Sequence, residues 1–507
     1  MKYDHIVVGA GSSGAVVAAR LSEDPACAVL LLEAGPDWPE VNQLPQDVRD
    51  ALTVSVTDHD WGYCAEVVPG RQATYARGKL AGGCSAINGA LALRGQPGDY
   101  NDWGEWGNDE WTWEKVLPYF CKIEDDQDMR GPYHGIGGPI RIVRWKTEEL
   151  VPLQQAYLEA CLKLGFAYVE DHNDPTALGV GPLPMNRLGT LRLSTAIAYM
   201  NPARGRLNLT IRPNALVNRV VFEGTKAVGL EVEMDGLLQQ VYADHITLSA
   251  GALNTPAILL RSGVGPKADL EPLGVHVVLD QPNVGVNLIE HQQIAAGIIP
   301  RDGVANADDP DVQIIARYSS NGTTDPTDPR FNDMQMYFVS RYVPITHRPI
   351  SAMSVLQKPR CRGHVSINTA DPHAQPVIKL NSYGDPDDMR IALDGLRLCW
   401  QIVNEPQIRR MSAQSAFLTD DIVADDDSLV EYIRANCATI WHPVGTCKMG
   451  PRRDPTTVVD QHFNVHGLDN LRVVDASVFP GHTRANPNLT CLVMGERAAE
   501  WMRATAI

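Results

Sequence analysis

The chain has 507 residues, a formal net charge of -17 and an isoelectric point of about 5.3. This acidity disfavours a nucleic-acid partner and docking on an anionic membrane, because both need clustered Lys and Arg. The composition is that of an ordinary globular protein, and the length predicts two domains or three. Ten cysteines without a C-x-x-C pair, no signal-peptide pattern and no apolar run that could span a bilayer predict a cytoplasmic protein with reduced thiols.

The first predicted elements form a β-turn-α-β unit, which is the crossover unit of a parallel sheet. Tyr3–Val8 is a short apolar, β-branched run that predicts a buried strand. Ala15–Leu21 has helical spacing, and "CAVLLLEAG" predicts a second strand that ends at Glu33. A glycine loop therefore lies between a strand and a helix.

This loop, "GAGSSG", carries the G-x-G-x-x-G pattern of dinucleotide-binding proteins. Gly9 permits the tight turn, Gly11 lets a pyrophosphate approach the backbone, and Gly14 lets the helix pack on the strand. Phosphate would lie at the helix N-terminus, and Glu33 would accept hydrogen bonds from a ribose hydroxyl. The pattern predicts a dinucleotide rather than a glycine turn without a ligand, and it does not separate NAD from FAD.

The rest of the chain alternates between irregular and regular segments. Residues 37–108 are rich in Gly, Pro, Asp and Trp and predict long excursions around a ligand, with a helical patch near Ala86–Leu93. Beyond them, the hydrophobic pattern predicts strands and helices, with a loop near Gly303–Pro329. The predicted strands include Thr210–Arg212, Leu216–Phe222, Ala227–Glu233, "GGPIRIVRW", "MQMYFVS", "GHVSIN" and "LRVVDASVFP", and the predicted helices include Leu150–Gly165, Asp387–Val403 and a closing helix.

A second glycine cluster, "YARGKLAGGCSAINGALALRG", spans Tyr75–Gly95. Gly82 and Gly83, followed by small polar residues, can bring backbone N–H groups against a second face of a cofactor. The same residues can equally begin a helix with Ser85 as its N-cap. The residues alone leave both interpretations open.

Near the C-terminus, "WHPVGTCKMG" places a histidine, a cysteine and a lysine within seven residues. His442 could be a metal ligand, a packed side chain or a catalytic base. A metal site formed with Cys447 is disfavoured, because no second pair of ligands accompanies the two residues. No metal is therefore expected, and the choice between packing and catalysis stays open at this point.

Four separated blocks, in this order, resemble the glucose–methanol–choline (GMC) oxidoreductase family of flavoproteins. They are "IVVGAGSSGAVVAARLSEDP" with "VLLLEAG"; "RGKLAGGCSAINGALALRG"; "SAGALNTPAILLRSGVGP"; and "WHPVGTCKMG" with "LRVVDASVFP" and "NPNLTCLVMGERAA". The resemblance covers nearly the full chain and is greatest to the bacterial alcohol oxidase and dehydrogenase branch, which includes enzymes that oxidise choline, hydroxymethylfurfural or pyridoxine.

The resemblance implies an α/β fold, α+β overall, with two domains. A Rossmann-like FAD-binding domain with a parallel sheet would be formed by residues 1–140, 200–300 and 430–507. A substrate domain with an antiparallel sheet and helices would be formed by residues 141–199 and 301–429.

The resemblance also implies FAD rather than NAD. It places Gly83, Cys84 and Asn88 near the isoalloxazine, the backbone of Val217 at the adenine, and Pro487 at the pyrimidine side of the flavin. The full set expected at the cofactor is Gly9, Gly11, Ser12, Ser13, Gly14, Glu33, Ala34, Arg77, Gly82, Gly83, Cys84, Asn88, Gly89, Ala90, Val217, Ala250, Gly251, Asp475, Ala476, Asn486 and Pro487.

In this family a histidine that precedes a proline faces the flavin N5, with a His or Asn across from it. By resemblance these residues are His442 and Asn486. His442 would accept the hydroxyl proton of a primary alcohol while hydride passes to N5, and Asn486 would hydrogen-bond the developing alkoxide. Asn486 could otherwise simply cap the last helix.

Two positions depart from the relatives. Some relatives bond FAD covalently through a histidine where this chain has Ile87, so FAD is expected to bind non-covalently. Choline-oxidising relatives have a Glu in an "H-P-E" triplet where this chain has Gln293 in "EHQQI", which disfavours choline. His291 in the same stretch either approaches the cavity or satisfies backbone groups. Substrate contacts are expected from Tyr337, Tyr342, His347 and Trp441.

The electrons are expected to pass to O2, to a quinone or to another acceptor. The sequence does not choose among these, and it gives neither the alcohol nor the oligomeric state. Two alternatives to alcohol oxidation are a lyase of the same fold, similar to hydroxynitrile lyases, and an FAD-binding protein without redox activity.

Overall fold

A seven-stranded mixed sheet forms one layer of the fold. The computed structural model describes residues 2–342 and 349–505. Lys2–Val8 lies between Val29–Leu32 and Leu237–Leu248 and is parallel to both, and the helix Gly14–Leu21 connects the first two strands. In spatial order the strands are Leu209–Arg212, Val29–Leu32, Lys2–Val8, Leu237–Leu248, Lys226–Met234 and Ala215–Glu223, with Leu471–Val473 also paired to Leu237–Leu248.

Burial explains why the central strands are continuous apolar runs. All four residues of Val29–Leu32 are buried, because both faces of a parallel sheet are covered. The closing helix Asn488–Thr505 packs against Gly14–Leu21 so closely that a Cβ added to Gly495 would lie 2.8 Å from the carbonyl oxygen of Ser13. The glycine turn is thereby fixed between the sheet and two helices.

A second seven-stranded sheet is antiparallel throughout, and its two faces have different environments. On one face, Ile294 and Ile298 belong to a hydrophobic core that includes side chains of the long helix Pro386–Asn404. Gln293 and Tyr337, on the other face, border a large cavity. In spatial order the strands are Ser412–Ala416, Gln292–Pro300, Ile350–Leu356, Met334–Val339, Ile314–Tyr318 and Gly179–Pro182, with Ala438–Thr439 also paired to Gln292–Pro300.

Smaller sheets and shorter helices surround these two layers. Within the described residues, no helix has the length and apolar character needed to cross a membrane. The smaller sheets consist of Val286–Leu288, Gly363–Ser366, Val377–Lys379, Cys64–Val68 and Arg71–Thr74; of Glu124–Asp126, Ile140–Arg144 and Pro184–Met185; of Arg187–Leu188 and Leu191–Arg192; and of Val264–Gly265 and Leu279–Asp280. The other α-helices are Gln46–Arg49, Pro97–Glu105, Trp113–Ile123, Pro152–Lys163, Asn201–Ala203, Gly251–Arg261, Lys267–Leu270, Pro406–Arg409, Asp420–Ala424 and Asp426–Asn436.

The predicted fold class is confirmed: the first sheet has a parallel centre extended by an antiparallel meander, and the second sheet is antiparallel. The helix predicted near Ala86–Leu93 is wrong. Only a short 3-10 turn, Gly83–Ala86, forms there, and Ala90 has a left-handed φ of 56° that a helix does not tolerate. The loop predicted near Gly303–Pro329 contains the strand Ile314–Tyr318.

Candidate active site

The glycine turn after the first strand leaves no room for side chains at two of its positions. Gly9 has a left-handed φ of 94°, and an added Cβ there would lie 2.5 Å from the carbonyl oxygen of Ser249. An added Cβ on Gly14 would lie 2.0 Å from the carbonyl oxygen of Gly9. At Gly11, by contrast, the nearest protein atom would be 4.0 Å away, so this glycine leaves open space where a pyrophosphate fits.

The second glycine turn packs against the first. Gly82 and Gly83 both have a left-handed φ, of 94° and 50°. A Cβ added to Gly83 would lie 2.8 Å from the Cα atom of Gly11. Ser85 lies inside the 3-10 turn and donates its hydroxyl hydrogen to the carbonyl oxygen of Gly82 at 2.6 Å, so it does not act as the N-cap of a helix.

A cavity of about 860 Å³ borders both glycine turns and the antiparallel sheet. This volume is typical of a site for a small molecule or cofactor. Gly14, Gly82 and Ala90 lie outside its wall, although the first two shape the turns that border it. The expected cofactor residues in the wall are Gly9, Gly11, Ser12, Ser13, Glu33, Ala34, Arg77, Gly83, Cys84, Asn88, Gly89, Val217, Ala250, Gly251, Asp475, Ala476, Asn486 and Pro487.

Two buried carboxylates order the loops at this wall. Glu33 accepts hydrogen bonds from the backbone N–H groups of Ala10 and Gly35, each at 2.9 Å. Asp475 accepts from the backbone N–H of Gly251 at 2.9 Å. Burial raises the pKa of Glu33 to about 7 and also raises the pKa of Asp475. Because both side chains also border the cavity, they can contact a ligand as well as the backbone.

His442 and Asn486, which are far apart in sequence, lie side by side in the cavity wall. Nε2 of His442 is 3.1 Å from Nδ2 of Asn486. Because an amide N–H only donates, Nε2 of His442 presents its lone pair. Burial, with His482 and Arg77 nearby, holds the pKa of His442 well below 6.5, so the imidazole is neutral. Oδ1 of Asn486 is buried and has no hydrogen-bond partner among the described residues, which leaves this amide an acceptor for a ligand.

The backbone around His442 fixes the direction of its side chain. Trp441 adopts a left-handed φ of 60°, which is uncommon for a bulky residue, and its carbonyl oxygen accepts from the guanidinium of Arg77. Pro443 disfavours a helical conformation at His442. The backbone N–H of His442 donates to Oε1 of Glu290 at 2.7 Å. The backbone at His442 and at the residues on either side of it is therefore constrained, which fixes the position of the imidazole.

A buried ion cluster holds the segment that carries Asn486. Asp99 accepts from the backbone N–H of Arg484 at 2.7 Å, from its guanidinium at 2.9 Å and from Nζ of Lys358 at 3.0 Å. Burial opposes ionisation of Asp99, but the two cations outweigh it and hold its pKa below the usual value. The carboxylate therefore fixes the backbone two residues before Asn486.

Two further histidines, His291 and His482, contact His442. Nδ1 of His291 is 2.9 Å from Nδ1 of His442, and Nε2 of His291 is 3.1 Å from the carbonyl oxygen of Thr483. His482 stacks on His291 with ring centroids 3.5 Å apart, and its Nε2 lies 2.9 Å from the carbonyl oxygen of His442. Sequence reasoning singled out His291 without assigning it a role, and it missed His482, because nothing in "PGHTRAN" separates that residue from a surface histidine.

The antiparallel sheet gives the cavity a wall of uncharged side chains. Tyr337 lies opposite Met353 on the neighbouring strand, and both border the cavity together with Gln293. Asp311 and Arg341 also border it, and they bring opposite charges together, with Oδ1 and Nη1 4.0 Å apart. The wall therefore presents no unbalanced charge from these five residues.

The four expected substrate residues have different outcomes. Tyr337 and Trp441 border the cavity. Tyr342 does not, because it follows the end of the strand Met334–Val339 and packs with the core on the opposite face of the sheet. His347 lies outside the described residues.

Comparisons with known proteins agree with this architecture. Two family models described as GMC oxidoreductase match residues 3–293 and 359–495. The chain is 34% identical to a 5-(hydroxymethyl)furfural oxidase of Methylovorus sp., over 98% of both chains. It is 32% identical to an oxygen-dependent choline dehydrogenase of Photobacterium profundum, over 98% of this chain and 92% of the relative. The solved structure of pyridoxine 4-oxidase from Mesorbium loti is similar over 99% of both chains, with a TM-score of 0.89 and 29% identity.

Proposed function

The chain belongs to the GMC family of oxidoreductases, which act on CH–OH donors, and on that premise we propose that it oxidises an uncharged primary alcohol to the aldehyde with FAD as cofactor. The observation that carries this proposal is the pair of His442 and Asn486 in the cavity wall. Deprotonation of an alcohol requires a base such as a neutral imidazole and is assisted by an amide that donates to the oxygen, and this pair presents both groups side by side.

Each residue of the pair has a separate task. His442 accepts the hydroxyl proton at Nε2, and Asn486 donates a hydrogen bond from Nδ2 to the oxygen as its charge develops. A second base at the position of Asn486 would compete for the same proton, whereas an amide only orients the oxygen. FAD, when bound, supplies the acceptor for the hydride that leaves the carbinol carbon. Loss of this proton and hydride converts the alcohol to the aldehyde.

The cavity wall fits FAD. Gly11 offers open backbone for the pyrophosphate, and the second glycine turn, which contacts it, adds backbone groups on another side. We propose that FAD is held without a covalent bond, because the side chain of Ile87, which borders the cavity, offers no nucleophile. We also propose that the chain divides into a discontinuous FAD domain and a substrate domain, with the boundaries implied by the family resemblance.

The wall of Gln293, Tyr337 and Met353 supports an uncharged substrate. A cation such as choline would need a nearby carboxylate to offset its desolvation, and Gln293 offers only an amide. The side chain of Asp311, which is one of the acids in the wall, already accepts from the backbone N–H of Val54 at 3.1 Å and faces Arg341. We therefore place neutral alcohols ahead of quaternary amines.

We also propose that the electrons pass to O2, a quinone or another small oxidant, and that the protein is cytoplasmic. All ten cysteines are free thiols, which supports a reducing compartment.

An anaerobic panel of alcohols tests the proposed function. Purified protein that contains oxidised flavin is mixed with neutral primary alcohols, secondary alcohols and choline in the absence of oxygen, and the flavin absorbance is followed. We expect at least one neutral primary alcohol to bleach the flavin and choline to bleach it far more slowly. Oxygen or an artificial quinone, added afterwards, identifies the acceptor that restores the colour. If the flavin stays yellow with every alcohol, the protein is a lyase or a binding protein instead.

A further inference from the structure

The contact behind His442 decides which of its two ring nitrogens is free. We propose that His291 is a positioning residue that fixes His442 as the tautomer with hydrogen on Nδ1, and so directs the lone pair of Nε2 at the substrate hydroxyl. The catalytic meaning of this tautomer rests on the proposed function. The tautomer itself is a property of the folded chain and can be measured separately.

The hydrogen positions follow from the chain of contacts, beginning at Thr483. A carbonyl oxygen only accepts, so Nε2 of His291, 3.1 Å from that of Thr483, carries a hydrogen. A neutral imidazole carries one hydrogen, so Nδ1 of His291 is an acceptor. Nδ1 of His442, 2.9 Å from it, must then donate. Nε2 of His442 is left with its lone pair.

The contact with Asn486, at the other end of this series of hydrogen bonds, gives the same assignment. Nδ2 of Asn486 can only donate, and it lies 3.1 Å from Nε2 of His442. The opposite tautomers, with hydrogen on Nδ1 of His291 and on Nε2 of His442, would set two N–H groups against each other between His442 and Asn486. They would also set a lone pair of His291 against the carbonyl oxygen of Thr483. The contacts at Thr483 and at Asn486 thus both require hydrogen on Nδ1 of His442.

His291 is suited to this task because it is itself neutral. Burial, with His482 and His442 as neighbours, holds its pKa well below 6.5. The charged groups around the pair are Glu290, which binds the backbone N–H of His442, and Arg77, which binds the preceding carbonyl group. When His442 takes the substrate proton, its hydrogen bond to His291 becomes charge-assisted and therefore stronger.

Two substitutions separate the hydrogen bonds from the ring. His291→Phe keeps a ring of similar size and removes both nitrogen contacts. His291→Gln keeps one acceptor and one donor on the same side chain, so it can still accept from His442 and donate to Thr483. His364→Phe, on the strand Gly363–Ser366 and outside the cavity wall, controls for exchange of a histidine as such. FAD content and melting temperature report whether each variant folds.

The tautomer is read from the ring-nitrogen chemical shifts of the FAD-loaded protein labelled with ¹⁵N-histidine, with His442 assigned by its absence in His442→Gln. We expect hydrogen on Nδ1 of His442 in the wild type and a mixture of tautomers in His291→Phe. With an alcohol that bleaches the flavin, the limiting rate of bleaching should fall roughly tenfold to a hundredfold in His291→Phe, with little change in the alcohol concentration at half-saturation. His291→Gln should recover most of the rate.

Hydrogen on Nε2 of His442 in the wild type would overturn the inference, and so would a wild-type bleaching rate in a folded His291→Phe. If His291→Phe does not fold, the wild-type tautomer and the rate of His291→Gln decide the question. If no alcohol bleaches any variant, the proposed function fails, and the tautomer still decides this inference by itself.

Discussion

His442 can act as a base at neutral pH because its surroundings keep it unprotonated. A histidine with an ordinary pKa near 6.5 would carry a proton in much of its population just below pH 7. Burial, together with His482 and Arg77, moves the pKa of His442 well below 6.5. The base form is therefore present over the whole neutral range, and it is lost only as the pH falls far below 6.5.

The pH dependence of flavin reduction tests this electrostatic argument. We predict that the limiting rate of anaerobic reduction, measured by stopped flow, stays constant from about pH 8 down to about pH 6.5 and falls only in more acidic solution. Glu290 also faces this site, and burial raises its pKa to about 7, so its own titration has to be separated. Glu290→Gln removes that titration and serves as the control. A loss of half the rate near pH 6.5 in both proteins would contradict the prediction.

Two glycines of the first turn, Gly11 and Gly14, have different tasks. Gly14 makes room for protein, since an added Cβ would meet the carbonyl oxygen of Gly9 at 2.0 Å. Gly11 makes room for a ligand, since an added Cβ would meet no protein atom closer than 4.0 Å. Alanine at these two positions should therefore damage the protein in different ways.

We predict that Gly14→Ala lowers the free energy of unfolding by about 3 kcal/mol, because the helix can no longer approach the strand. Gly11→Ala should leave the melting temperature of the FAD-free protein unchanged and weaken FAD binding at least about tenfold, because the new methyl group occupies the pyrophosphate position. Thermal unfolding of the FAD-free proteins and titration with FAD measure the two effects. Wild-type FAD affinity in Gly11→Ala would show that the cofactor does not lie over this turn.

A separate cluster of buried ionisable groups belongs to the structure rather than to the chemistry. Glu124, Asp126 and His134 lie close enough together to resemble a metal site. Arg94 pairs with Glu124 and Arg144 with Asp126, so the carboxylates are already neutralised by guanidinium groups. Burial disfavours the charged form of His134, but its hydrogen bonds to the neighbouring carboxylates outweigh burial and raise its pKa to about 11, so this histidine is a cation and a poor metal ligand.

In the whole molecule, the mixed sheet supplies the first glycine turn and the antiparallel sheet supplies the uncharged wall, while the proposed catalytic pair comes from loops. The sequence was sufficient for the parts that depend on local pattern. The turn "GAGSSG", the strand Lys2–Val8 and the helix Gly14–Leu21 each follow from spacing and glycine positions within about twenty residues. The pairing of His442 with Asn486 came instead from family resemblance, because no local pattern joins two distant residues.

The parts that could not be predicted depend on contacts between distant segments. The roles of His291 and His482 depend on the carbonyl oxygens and ring nitrogens around them, and the spacing of residues in the sequence does not predict these contacts. The segment near Ala86–Leu93 has helical spacing, but its backbone pairs with a distant segment: the N–H of Ala92 donates to the carbonyl oxygen of Pro184, and the N–H of Asn186 donates to that of Ala90. Tyr342, which was expected at the cavity, follows the end of the strand Met334–Val339 and packs with the core on the opposite face.

The most direct test of the account is the rate of anaerobic flavin reduction by an accepted alcohol in wild type, His442→Ala and Asn486→Ala. All three proteins should hold the same amount of FAD, because neither substitution removes a backbone contact of the glycine turns. We predict a fall of about a thousandfold in His442→Ala and about a hundredfold in Asn486→Ala. Reduction of His442→Ala at the wild-type rate, with FAD bound, would contradict the assignment of the base.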